Sequence, residues 1–387
     1  PRCDRLRNEV AKETPWIQFE LPTDRARFED ALVFSQEQVK HLIESHPNFY
    51  PLYTQDGKWK HAGEAWTHWC DGFFPGMMWT FARHNKGEAA QYWKAKAIQY
   101  TTPLEPRKTD REVYDQGFLF FSTYYRWLAM EKDPALKEVL LTAGQTLALR
   151  YQEKGAYLRS FVAPNSLFID SMMNVGIIFY AARETGDKRL REIALRHSLT
   201  VRKNLIRGDG SCAQEGLFDT DSGEFLEQST HQGFRRDSCW SRGLAWATYG
   251  FSICYEYSRD PRFLATSEAC ADYYVTHANG DGIPPWDFRA PLEFRKLVDT
   301  SAAAIMASAL IRLSRLIQDP VKGHFYYMTA VRILRTLCDE YLGKQTKGWQ
   351  GILQGSLYHM HRGLGINESA VWGDYFFVEA LERILRP

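Results

Sequence analysis

Asp299-Thr-Ser-Ala-Ala-Ala-Ile-Met-Ala-Ser-Ala309, followed ten residues on by Asp319-Pro320, decides the fold of this chain. The run from Ala302 to Ala309 is apolar nearly all round, and a helix with no polar face must be buried on every side. Asp319 is a strong helix cap, because its carboxylate accepts the free amides of a first turn. Pro320 suits the first helical position because it has no amide to leave unpaired. A buried helix therefore turns tightly into a second one, and the pair reads as a helical hairpin.

Working outward, the same junction recurs at Asn85-Lys86-Gly87, Asp133-Pro134, Gly186-Asp187 and Asp260-Pro261. The helices after these junctions are amphipathic. The one expected from Pro134 to Gln152 carries Leu136, Val139, Leu140 and Ala143 on one stripe and Lys137, Glu138 and Thr142 off it. A second kind of start has Asp or Asn ahead of small and aromatic residues, at Asp71, Asp115, Asp170, Asp237, Asp299 and Asn367. Their spacings of 44, 55, 67, 62 and 68 residues each leave room for two helices and their connections. Six buried helices then alternate with five amphipathic ones, and Ser35 to Ser45 can supply the missing outer helix. Strand signals are sparse, with at most a short hairpin from Gly-Asp-Gly-Ser211 and Gly223 to Gln228. The expectation is an all-α (α/α)6 barrel, a toroid of six helical hairpins, with an irregular α-superhelix as the alternative. Residues 1–387 would form one catalytic domain, with 1–30 as an N-terminal extension.

Lys and Arg number 48 against 47 Asp and Glu, a balance that lacks the basic footprint of a nucleic-acid or anionic-membrane binder. Twelve Trp, 20 Tyr and 23 Phe suit the stacking of sugar rings, and equally suit the filling of wide gaps between helices. The seven cysteines (Cys3, Cys70, Cys212, Cys239, Cys254, Cys270, Cys338) show no metal spacing and read as reduced, mostly buried thiols. No apolar run reaches the roughly 18 to 20 residues that cross a bilayer. A soluble protein is therefore expected, as a monomer or weak homo-oligomer; the start at Pro1 rather than Met reads as a trimmed or mature form from which a signal peptide could have been removed, so the bacterial cytoplasm and periplasm both stay open.

If the inner helices run parallel, their N-termini meet at one mouth. Each free amide turn there favours a carboxylate by up to roughly 1 kcal/mol, so an acidic sugar is a natural ligand. The loops leading to that mouth carry Trp66, His68, Trp69, Tyr114, Phe161, His231, Gln232, Trp286, Tyr358 and His359.

Several collinear stretches between about residues 66 and 380 resemble the unsaturated glucuronyl hydrolases. They are Trp69-Cys-Asp-Gly-Phe-Phe-Pro-Gly-Met-Met-Trp79, Asp115-Gln-Gly-Phe-Leu-Phe, Ile169-Asp-Ser-Met-Met-Asn174, Gln232-Gly, Trp240-Ser-Arg-Gly-Leu-Ala-Trp246, Trp286-Asp-Phe, Asp299-Thr-Ser-Ala-Ala-Ala-Ile and Trp372-Gly-Asp-Tyr375. The unsaturated rhamnogalacturonyl hydrolases, which share the barrel, resemble them less well. The resemblance implies a glycosidase that needs no metal or organic cofactor. Its substrate class is the unsaturated uronic-acid oligosaccharide left by a polysaccharide lyase, with a C4=C5 double bond beside the carboxylate. An acid protonates C4, water adds at C5, and the hemiketal opens and expels the remaining sugar, so the carboxylate-separation rule of ordinary glycosidases does not apply.

Carried over by position, Asp170 resembles the general acid and base, and Asp115 the second carboxylate contacting sugar hydroxyls. A carboxyl in an apolar cavity beside another negative charge has the raised proton affinity such an acid needs. Capping of their own helices is the competing role. Gln232, Arg242 and Trp246 resemble substrate-site residues, with a structural salt bridge as the other role for Arg242, and Trp69 and Tyr358 fall where aromatics line the pocket. Tyr114 and Gln214 stand where the family carries His; both still form hydrogen bonds, but neither can carry a positive charge. A sugar epimerase or isomerase on the same barrel would rest on a His pair as acid and base, which His197, His231, His359 and His361 do not match. A non-catalytic saccharide-binding protein is the third reading.

Overall fold

The structure, a computed structural model, describes residues 22–61 and 65–386, and the side chains of Pro22 and residues 61–67 lie outside that description. The outer layer consists of α1 (Pro22–Ser45), α3 (Gly87–Thr101), α6 (Pro134–Ala148), α9 (Lys188–Leu205), α11 (Pro261–His277) and α13 (Pro320–Glu340). The inner layer consists of α2 (Phe73–His84), α4 (Gln116–Ser122) continued by α5 (Tyr124–Glu131), α7 (Ser171–Asn174) continued by α8 (Gly176–Thr185), α10 (Ser241–Ser258), α12 (Thr300–Ser314) and α14 (Val371–Leu385). The last inner helix, α14, packs on both α12 and α2, and α1 packs on α13 and α14. That contact between first and last closes a ring and removes the open superhelix.

Four of the outer starts are capped as the sequence leads one to expect, whereas α3 begins at Gly87 with no side-chain cap. Asp133 accepts from the Ala135 amide at 2.8 Å, Asp187 from Arg189 at 2.7 Å, Asp260 from Arg262 at 3.0 Å and Asp319 from Val321 at 2.9 Å. Helix α6 stops at Ala148, short of the expected Gln152, because the chain bends into a strand at Tyr151. Helix α1 begins at Pro22, so it takes in the end of the expected N-terminal extension. The rest of that extension, with Cys3, lies outside the described residues.

The inner starts are different. Among those six Asp and Asn residues only Asp299 caps its helix, accepting from the Ser301 amide at 3.0 Å. Helix α10 begins at Ser241, four residues after Asp237, which instead pairs with Arg235 at 2.7 Å. Asn367 sits in a strand with φ of 59°, and α14 starts only at Val371. Asp71 accepts from His68 Nδ1 at 3.0 Å and Arg107 at 3.3 Å, and not from its own helix.

The loops at the inner-helix starts carry more sheet than expected, all of it in strands of two to five residues. These are the antiparallel pairs β1 (Pro51–Gln55) with β2 (Lys58–His61), β3 (Tyr151–Gln152) with β4 (Tyr157–Leu158), and β8 (Ser356–His359) with β9 (Leu364–Glu368). A three-stranded sheet runs β5 (Ser166–Phe168), β6 (Glu215–Phe218), β7 (Phe225–Ser229).

Below that mouth, Trp246 packs on Phe118 and Phe376, with ring centroids 5.0 and 5.4 Å apart, and Phe73 packs on Tyr375 at 4.9 Å. Deeper still, Glu379 is held by Arg126 at 2.9 Å, Ser308 at 2.6 Å and Tyr249 at 3.0 Å, which ties α14 to α5, α12 and α10. A buried carboxylate costs several kcal/mol unless it is paired in this way. Rings and ion pairs together fill the axis and form a floor. Among the described residues no helix is long and apolar enough to cross a membrane, and the six described cysteines are buried.

Candidate active site

Asp170 reaches the mouth because a strand delivers it there. β5 runs beside β6 with Phe168 opposite Glu215, the Ile169 amide continues the ladder to the Gln214 carbonyl at 2.9 Å, and the chain then turns into α7. The turn is braced from behind. Ser171 Oγ donates to the Phe168 carbonyl at 2.6 Å and is held by His197 Nε2 at 2.9 Å. His197 Nδ1 accepts the Leu158 amide at 3.0 Å, so its proton sits on Nε2; burial pushes its pKa down to about 3 and keeps the ring neutral.

Asp170 is partly open, yet its Oδ2 is buried with no hydrogen-bond partner. Burial lifts its pKa to about 6 against the pull of the Arg242 charge. Asp115 stands at the start of α4 without bonding its amides, and accepts from Asn174 Nδ2 at 3.2 Å. It is 5% exposed, and burial first, then the charge of Asp170, lifts its pKa to about 8. Two carboxyls that repel each other out of water hold a proton between them near neutral pH. Neither Asp caps its helix, which leaves both free for chemistry.

Asn174 ties the pair together. Besides Asp115 it donates to the Asp170 carbonyl at 3.3 Å, and its Oδ1 accepts the Phe118 amide at 2.9 Å. This closeness of α4 and α7 requires Gly117, where a Cβ would stand 2.5 Å from the Asn174 Cα.

The other residues singled out in the sequence share this mouth. Tyr114, buried, feels the charges of both Asp170 and Asp115; its ring stacks on Phe161 at 6.0 Å and lies under Arg150 at 5.9 Å. Trp69 packs on Trp372 at 5.0 Å and on Phe118 at 5.4 Å, and hydrogen-bonds Tyr358, which itself lies 4.9 Å from Trp372. Trp246 is buried against Phe118. Gln232 donates to the Tyr358 carbonyl at 3.0 Å and accepts from Gln214 at 2.9 Å. Gln214 is occupied in holding that turn, since its Oε1 accepts from Thr230, the His231 amide and the Gln232 amide at 2.7, 2.7 and 2.8 Å. Arg242 is buried on Asp299 at 2.9 Å and on the Leu357 and Tyr358 carbonyls at 2.6 and 2.7 Å, so the salt bridge anticipated for it is present. It still lends its charge to Asp170. The Trp286 indole donates to the Gln232 carbonyl at 2.8 Å, and the side chain of Trp66 lies outside the described residues.

Sequence reasoning missed Asn174 as a link, Arg150 as the cation over Tyr114, and Glu215 beneath His231. Only Asn174 left a readable signal, four residues after Asp170 and one helical turn away. Among the described residues no three His, Cys, Asp or Glu side chains converge to hold a metal ion.

The chain is similar to known proteins over most of its length. Residues 41–280 match the family described as Glycosyl Hydrolase Family 88. The chain is 35% identical over 324 residues to an unsaturated glucuronyl hydrolase of Formosa agariphila, covering 81% of this chain and 79% of that one. It is 28% identical over 368 residues to an unsaturated glucuronyl hydrolase of a Bacillus species, covering 92% and 95%. Among solved structures, an unsaturated glucuronyl hydrolase specific for heparin superposes with a TM-score of 0.85 at 29% identity, covering 93% of this chain and 97% of that chain.

Proposed function

The chain belongs to glycosyl hydrolase family 88, and on that premise we propose that it removes the terminal 4,5-unsaturated uronic acid from oligosaccharides produced by polysaccharide lyases. Asp170 is the general acid and base. Its carboxyl gives a proton to C4 of the enol ether, and positive charge develops at C5 and the ring oxygen. Asp170, now a carboxylate, takes a proton from the water whose oxygen bonds to C5. The hemiketal so formed opens to a C5 ketone, and C1, now a hemiacetal carbon, releases the remaining sugar. Asp115 accepts hydrogen bonds from sugar hydroxyls, and the charge of Asp170 adds to burial in raising its proton affinity, which keeps a proton in the pair. Trp69, Tyr114, Trp246 and Tyr358 offer ring faces or a hydroxyl to the sugar, while Gln214, Gln232 and Arg242 fix the loop that faces it.

The observation that carries this reading is the pair of uncapped carboxyls with raised proton affinity, Asp115 buried and Asp170 partly open with one buried oxygen that has no partner in the protein. We read residues 22–386 as one catalytic unit, because the ring that positions both groups closes only when α14 meets α2.

The test follows ultraviolet absorbance of the conjugated double bond. Incubation with lyase-generated disaccharides is expected to erase it, and Asp170→Asn to leave it intact. Persistent absorbance with the unsubstituted protein on every lyase product tried refutes the assignment. Release of an epimerised sugar without cleavage would favour isomerase chemistry instead.

A further inference from the structure

Resting on that function, we propose that His231, seated on Glu215, binds an anionic oxygen group of the substrate at the mouth and sets the enzyme's preference for charged over neutral sugars.

Glu215 is an unusual occupant of a site meant for an acidic sugar. It is buried in β6 opposite Phe168, two residues before Asp170, and its charge is felt at Tyr114 together with those of Asp115 and Asp170. With a proton shared by Asp115 and Asp170, the charge of Glu215 would still add to theirs and repel a uronate. Glu215 is countered from within the fold by Ser166, whose hydroxyl donates to Oε1 at 2.5 Å, and from the mouth by His231, whose Nε2 lies 3.1 Å from Oε2. The other cations near the carboxyl pair are committed to protein groups: Arg242 to Asp299 and two carbonyls, Arg107 to Asp71, Asp110 and the His68 carbonyl, Arg150 to the carbonyls of Arg111, Arg159 and Ser160. The His231 side chain, by contrast, is 44% exposed.

Its place is fixed at both ends. The His231 amide is held by Gln214, and the ring packs on Phe168 at 5.4 Å. Phe168 meets Phe161 at 5.9 Å, and Phe161 stacks on Tyr114. A continuous aromatic wall thus runs from the neighbour of Asp115 to His231. The Glu215 hydrogen bond raises the proton affinity of the imidazole, with partial burial and then the charge of Arg362 opposing it. With Nε2–H given to Glu215, only the protonated ring has a second N–H, on Nδ1, to offer an anion. A neutral ring would turn a lone pair toward the ligand, so the pairing with Glu215 selects the donor form.

Two anions can meet this group, the uronate carboxylate or a sulfate on the next sugar, and the experiment separates them. The probes are an unsaturated uronyl disaccharide, its methyl ester, and the same disaccharide with and without sulfate. kcat/KM is measured for wild type, His231→Gln and His231→Lys, with thermal unfolding as a control for folding. The expected result is an acid-to-ester or sulfated-to-unsulfated ratio at least about tenfold smaller in His231→Gln, carried by KM, and recovered in part by His231→Lys. The ratio that collapses identifies the anion. Unchanged ratios for both pairs in an active, folded His231→Gln overturn the proposal and leave the hydrolase reading intact. If the wild type cleaves nothing, calorimetric binding of the acid and the ester decides: a preference for the acid that disappears in His231→Gln keeps this inference while the hydrolase reading falls, and equal binding sinks both.

Discussion

Replacing Asp115 with Asn should make the protein more stable in alkaline solution while ruining it as a catalyst. Asp115 has an ordinary pKa of 3.8 and is lifted to about 8 in the fold. The folded state therefore keeps a proton that the unfolded chain has already lost. The stability this proton supplies is complete below pH 3.8 and drains away as the pH rises to about 8, where the buried carboxyl must ionise. The rise from 3.8 to about 8 corresponds, at 1.36 kcal/mol for each tenfold change in proton affinity, to an upper bound of about 5–6 kcal/mol. Asn removes that burden, keeps the shape, and its amide oxygen can still accept from Asn174. Even half of the bound matters. With about 2.1 cal/mol/K of unfolding entropy per residue, a chain of 387 residues loses or gains about 1 °C of Tm for each 0.8 kcal/mol. Asp115→Asn should therefore gain about 3–4 °C at pH 8.5 and nothing at pH 4, in thermal unfolding scans of both proteins across that range. A variant that melts below wild type at pH 8.5, or gains equally at both pH values, would refute the claim that Asp115 is strained by burial beside a second acid.

Asn174→Ala should cut kcat by about a hundredfold, since it frees both carboxyls to drift by the ångström that catalytic geometry does not tolerate, and steady-state kinetics with circular dichroism as a folding control would check it. Gly117→Ala places a methyl group 2.5 Å from backbone that has nowhere to go, so a loss of roughly 1–3 kcal/mol should appear in denaturant unfolding. Arg242→Ala leaves Asp299 in the interior without its counter-charge, with an expected cost of about 3–5 kcal/mol that Arg242→Lys does not recover, because a compact ammonium lacks the planar fork that spans Asp299 and the two carbonyls.

The outer half of the barrel was readable in the sequence because its signals are local. Each Asp in Asp133-Pro134, Asp260-Pro261 and Asp319-Pro320 bonds an amide two residues on, and nothing distant competes for it. The inner starts were misread for the opposite reason. Asp71, Asp115 and Asp237 stand in sequence like caps, but Arg107, Asn174 and Arg235 offer them other partners, and only the packing of neighbouring hairpins puts Arg107 and Asn174 in reach. Strands of two to five residues such as β3 and β5 are too short for an alternating pattern, and Glu215 carries no mark that it lies under His231 across a hairpin. Asp170 and Asp115 could be found through a resemblance, whereas their proton affinity depends on burial that no stretch of sequence spells out.

The floor of the barrel has its own bearing on turnover. Rings around Trp246 and the knot around Glu379 stop the axis, so the mouth is at once the way in and the way out. A polymer cannot be threaded through such a cul-de-sac, and a released monosaccharide must leave before another chain end arrives. Product should therefore slow the reaction by simple occupancy, and long substrates gain nothing from their length beyond the few sugars that the rim can touch.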